Sequence, residues 1–251
     1  MRRLFAFALL LAAPAHAETP YQLYAVGKYD EAIKAGVAEN DAVGLSVAAG
    51  ATLAEEASRD QPCLECLERA EDYARRAIAA DPKLPEARVY LAFSLGLKAH
   101  IEGSLRARLK DYPDQAKSAL DAALATDPKN AWALAARGGW NIAIVRGGGA
   151  TLARLFYGAT LKKGLDDFAA AFDAAPDDIV VLYQYALTLS EYDPVHYHDY
   201  IAAALTHVAS GTPDMAYERL MQKRASDLLE VLKKGDSDAY VARVRKFEGY
   251  P

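Results

Sequence analysis

The sequence predicts an all-α protein, a helix-turn-helix repeat array with enlarged central units and a C-terminal capping helix. Two observations carry this. Three segments end alike, AIAADP at Pro82, AALATDP at Pro128 and AAFDAAP at Pro176, and self-similarity of this kind marks repeat architectures. Counting back 12, 8 and 5 residues from each proline gives Ala70, Ala74 and Ala77, then Ala116, Leu120 and Ala123, then Gly164, Phe168 and Ala171. Those offsets fall on one helical face, with small residues where a neighbouring helix must approach closely. The proline then stops the helix. A weaker copy ends at Pro213, with Ile201, Leu205 and Val208 at the same offsets.

From the N-terminus, Arg2 and Arg3 precede an apolar stretch from Leu4 to Ala13, and Ala15-His16-Ala17 supplies small residues before Glu18. That order predicts a signal peptide over residues 1–17, cleaved after Ala17, and a periplasmic or secreted chain. The apolar run is too short to span roughly 30 Å of hydrocarbon as a helix, and no later segment approaches that length, so no transmembrane segment is expected in the mature chain. Residues 18–251 then form the helical repeat domain. Losing Arg2 and Arg3 takes the formal charge from −5 to −7, which argues against nucleic acid as a partner, because phosphate binding wants a basic surface.

The forward side of each proline repeats as well. Positions 6, 9, 10 and 13 beyond Pro176 are Leu182, Tyr185, Ala186 and Leu189; beyond Pro82 they are Arg88, Leu91, Ala92 and Leu95. Gly27-Lys28-Tyr29 followed by Ala32 reads as an inter-helix turn. On these residues the chain resembles the tetratricopeptide repeat family over roughly residues 21 to 213, and the resemblance implies a superhelical array. The spacing departs from that family: 46 residues separate Pro82 from Pro128 and 48 separate Pro128 from Pro176, against a usual period near 34. Each central unit therefore carries about a dozen extra residues, in longer helices or extended loops. After Pro213 the apolar stripe Leu220, Met221, Ala225, Leu228, Leu229 and Leu232 predicts the capping helix. Gly235 ends it, and Asp236 caps a last short helix through Phe247.

Candidate chemistry is sparse. Cys63 and Cys66 are the only cysteines. A disulfide staple is expected in an oxidising compartment, with a redox pair, a metal site or free thiols as the other readings. Gly147-Gly148-Gly149 lacks the Lys-Ser/Thr pair of a phosphate loop and reads as a helix end. His196 and His198 stand two apart, and on a helix such residues diverge, so they read as surface residues rather than metal ligands. The chain is expected to be no enzyme, with no metal and no cofactor.

In tetratricopeptide arrays the first helix of each pair lines a concave groove. Carried over by position, the resemblance implies a binding groove of Val89, Phe93, Trp132, Arg137, Trp140, Asn141, Tyr183 and Leu187, with Ala135, Gly139 and Ile142 between them. The same surface could instead be filled by the protein's own inserts. The function implied is a protein-interaction or scaffolding module of the cell envelope, taking a protein or peptide partner there. The alternative is a small-ligand carrier resembling the helical-repeat components that accompany some solute transporters.

Overall fold

In the computed structural model, which describes residues 18–250, every regular element is helical. The leader expected over residues 1–17 lies outside the described residues. A short α1 (Pro20–Ala25) leads into α2 (Tyr29–Glu39), α3 (Ala42–Ala57), α4 (Leu64–Ala80) and α5 (Pro85–Glu102). Next come α6 (Ser104–Leu109), α7 (Tyr112–Thr126), α8 (Ala131–Leu152) and a π-helical turn (Ala153–Tyr157). The chain continues through α9 (Leu161–Ala174), α10 (Ile179–Tyr192), α11 (His198–Ser210), α12 (Ala216–Lys234) and α13 (Ser237–Phe247). No strand occurs among the described residues, and none of their helices is long and apolar enough to cross a membrane.

Successive helices pack on each other from α1 to α5, with α5 on α7, α7 on α8, α8 on α9, and α10 through α13 in sequence. This is a helical-repeat arrangement in the general sense. Its seams are made by the residues at the repeated offsets. Ala70, Ala74, Ala77, Ala123, Phe168, Ala171, Ile201, Leu205 and Val208 are all fully enclosed, and Ala116 and Leu120 nearly so. Gly164 shows why the third copy has no side chain there. A Cβ on it would lie 2.5 Å from Ile142 and 2.9 Å from the Gly138 carbonyl oxygen, so α8 and α9 approach more closely than alanine permits.

Local signals agree with these boundaries. Asp41, Asn130, Thr160, Asp178 and Asp236 each accept a backbone N–H in the first turn of the helix they precede, satisfying donors that a helix start leaves free. Gly27 takes φ 86° at the turn before α2, and Gly235 takes φ 71° at the end of α12, a conformation that glycine adopts without a Cβ penalty. The extra central residues are accounted for by α6, which interrupts the path from α5 to α7, and by the long α8 with its π-helical turn. Gly149 (φ 74°) kinks α8 near its end.

Candidate functional site

The inner faces of α5, α8, α10 and α12 do not close on one another. They surround a cavity of about 650 Å³, within the range of small-molecule and peptide sites. Phe93 on α5, Trp132 and Trp140 on α8, and Tyr183 and Leu187 on α10 line it, with Gly96 and Gly139 leaving room between them. Both indole N–H groups are engaged in the walls. Trp132 Nε1 donates to Asp178 Oδ2 at 2.9 Å, and Trp140 Nε1 donates to the Pro113 carbonyl at 2.9 Å. The tryptophans therefore line the space with their rings already anchored.

Three of the groove residues expected from the sequence are not among the lining residues. Val89 is buried in the core. Arg137 makes a two-pronged ion pair with Asp167 on α9, Nη2 to Oδ1 at 2.6 Å and Nε to Oδ2 at 3.0 Å, and also reaches Asp121 Oδ1 at 3.4 Å. Asn141 is buried beside it, donating to the Arg137 carbonyl at 3.0 Å and to Asp167 at 3.3 Å. The charged position on α8 is thus a tie between α7, α8 and α9. Cys63 and Cys66 are joined as a disulfide across the start of α4, with Cα atoms 5.2 Å apart.

One end of the cavity is polar. Arg146 on α8 lies 3.2 Å from Glu191 Oε2 on α10 and donates to the Tyr250 hydroxyl at 2.7 Å. The Tyr250 ring stacks on His100 of α5, centroids 4.4 Å apart. His100 Nδ1 meets the Glu248 carbonyl oxygen at 2.7 Å. A carbonyl can only accept, so Nδ1 carries the hydrogen and Nε2 the lone pair. Burial lowers the His100 pKa, with the Glu248 hydrogen bond opposing it, so the ring is neutral. Burial also pushes the Glu248 carboxyl up to about 8, assisted by Glu191 and opposed by Arg146 and Arg224. Arg224 of α12 stacks over Phe247 at 4.6 Å and donates to its carbonyl at 3.4 Å. The last turn of the described chain is thereby seated inside the cavity.

Two deeply buried polar atoms here lack a well-formed hydrogen bond, although Arg224 neighbours the first and Tyr250 the second. The Tyr183 hydroxyl belongs to a residue only 1% exposed, and Glu191 Oε1 to a side chain 9% exposed. Such atoms cost free energy unless something satisfies them. Ligand atoms of His100, Glu191 and Glu248 lie within 4.8 Å of one another, close enough to share an ion; Arg146 already brings a positive charge to Glu191. His100 and Glu191 were within reach of sequence reasoning, because they stand seven residues after Phe93 and four after Leu187 on the same faces. Glu248 and Tyr250 were not, since nothing local in the sequence returns the C-terminal turn to α5 and α10.

A family model described as "RMD1-3: Regulator of microtubule dynamics protein 1-3" matches residues 43–233, from α3 to the end of α12. The match spans more than half of the chain, and the chain belongs to this family. No curated protein matches it. The family is described as a regulator, and the chain is not an enzyme.

Membership corrects several expectations. The family is that of the microtubule-dynamics regulators rather than the tetratricopeptide repeat family. The offsets that suggested the latter hold small residues at helix seams, a need common to stacked helix pairs generally. The envelope-scaffold function, the solute-carrier alternative and the envelope partner all hung on that likeness and on export. They fall with it, as does the periplasmic or secreted location, since microtubules belong to neither place. An arginine pair, an apolar run and the small residues Ala15 and Ala17 were too slight a basis for a location.

Proposed function

We propose, from this membership, that the chain is a non-catalytic regulator of microtubule dynamics that works by seating an extended segment of its target in the cavity between α5, α8, α10 and α12. The observation that supports the reading is the pairing of an apolar channel with buried polar atoms that lack a well-formed hydrogen bond, Tyr183 Oη and Glu191 Oε1. Aromatic walls supply contact area, and these two atoms supply fixed hydrogen-bonding points for a polypeptide. Helix pairs stack as one array over the described residues 18–250, enlarged at its centre by α6 and the π-helical turn, with α12 and α13 closing one end. In this reading Val89, Arg137 and Asn141 support the walls, while Phe93, Trp132, Trp140, Tyr183 and Leu187 form the surface that binds.

Gly96 gives the test. A Cβ on it meets nothing within 4 Å, and it lines the cavity. Gly96→Phe therefore fills the channel, and replacing glycine inside α5 also favours the helix. Co-sedimentation with polymerised tubulin is expected to retain the wild-type chain and to lose the variant, with the unfolding midpoint unchanged or raised. Equal retention of both proteins would remove the cavity from the reading.

A further inference from the structure

We propose that α6 and the π-helical turn together form a docking surface for an anionic membrane. This surface adjoins the cavity, whose lining includes Arg108, Leu152 and Phe156, but the inference does not rest on what the cavity binds. Of the eleven exposed large apolar side chains among the described residues, four lie on these two short segments, Leu105, Leu109, Leu155 and Phe156, and a fifth, Leu152, ends α8 directly before the turn. Leu105, Leu109 and Leu155 are 71–75% exposed. The two segments are neighbours, because the Arg108 guanidinium sits over the Phe156 ring at 5.6 Å.

The pattern inverts what a water-facing segment needs. Each segment buries only an alanine, Ala107 at 3% and Ala153 at 1% exposed, and turns its large apolar side chains outward. An ordinary surface helix does the opposite. Charge identifies the occupant. Residues 103–110 and 146–163 hold seven basic residues and no acidic one, in a chain whose formal net charge is −5. Arg146, Lys110 and Lys162 are paired with Glu191, Glu102 and Asp166, and Lys163 donates to the Gly158 carbonyl. Among the described residues, no carboxylate lies within 4.0 Å of Arg106, Arg108 or Arg154. Leucine and phenylalanine tips interleaved with unpaired arginines suit a headgroup boundary, where tips enter the acyl edge and guanidinium groups stay among phosphates.

The test is flotation of the full chain with vesicles of phosphatidylcholine alone and of phosphatidylcholine with phosphatidylserine. The wild type is expected to float with the mixed vesicles only, and less as salt is raised. Arg106→Gln/Arg108→Gln/Arg154→Gln is expected to weaken binding about a hundredfold, the value of three cations at an anionic surface. Leu105→Ser/Leu155→Ser is expected to lose binding while keeping the wild-type unfolding midpoint. Failure of the wild type to float with either vesicle overturns the proposal, as does wild-type binding by both variants. So does a wild type that ignores vesicles but forms dimers, or holds microtubules, through Leu155. The cavity variant Gly96→Phe should float normally, which separates this proposal from the previous one.

Discussion

Replacing Arg137 with leucine should destabilise the protein without touching its target binding. Asp167 is 13% exposed and receives two guanidinium bonds, at 2.6 and 3.0 Å, plus a weaker one from Asn141 at 3.3 Å. Removal of the arginine leaves a largely enclosed carboxylate with Asn141 alone. Breaking a fully buried pair in this way costs about 3–5 kcal/mol. Here Arg137 is itself 29% exposed, so water screens part of the charge, and about 2–3 kcal/mol is expected. Asp167→Leu added in the same chain should return most of that loss, because the cost lies in the stranded charge and not in the missing bond. Urea unfolding of the two single variants and the double variant measures the coupling. An Arg137→Leu midpoint equal to wild type, or a double variant no more stable than the arginine single, would show that Asp167 is not stranded by the loss of its partner. Lost microtubule retention in a stable Arg137→Leu variant would return the arginine to the binding surface.

Further outcomes follow from other parts of the fold. Gly164→Ala should cost about 1–3 kcal/mol by urea unfolding, since its Cβ collides with α8; a neutral result would mean that α9 can withdraw freely. Cys63→Ser/Cys66→Ser should lower stability by at most about 2 kcal/mol, the chain-entropy value for so small a loop. Glu248 titrates near 8 in the folded chain against an ordinary 4.5, so the folded state holds the extra proton. That stability is complete below about pH 4.5 and is lost as pH rises through about 8. Thermal midpoints of the wild type should therefore fall relative to Glu248→Gln across that window, and parallel curves would show that the carboxyl is not held neutral in the cavity.

Much of the architecture was legible because close helix packing writes itself into the sequence. Alanine or glycine recurring at fixed distances before Pro82, Pro128 and Pro176 identified the seams, and Gly235 with Asp236 identified the break between α12 and α13. Family identity was not legible there, because those residues answer a packing need shared by unrelated helical arrays. The groove was partly legible. Phe93, Trp132, Trp140, Tyr183 and Leu187, carried over from the repeat resemblance, line the cavity, whereas Val89, Arg137 and Asn141 do not. The side chains of Arg137 and Asn141 face α9, and Asp167, thirty residues on from Arg137, decides that. The polar end escaped because it needs the chain to return from α13 and place Glu248 and Tyr250 against His100 and Arg146. A contact of that range leaves no periodic trace.

Regulation of microtubule dynamics through the cavity, as proposed, is open to time-lapse imaging of single growing filaments. With wild-type protein in excess, growth or shrinkage rates should change from those of tubulin alone, and with Gly96→Phe they should return to the tubulin values. Rates that the wild type leaves unaltered, or that both proteins alter equally, would rule out a role for the cavity in microtubule dynamics.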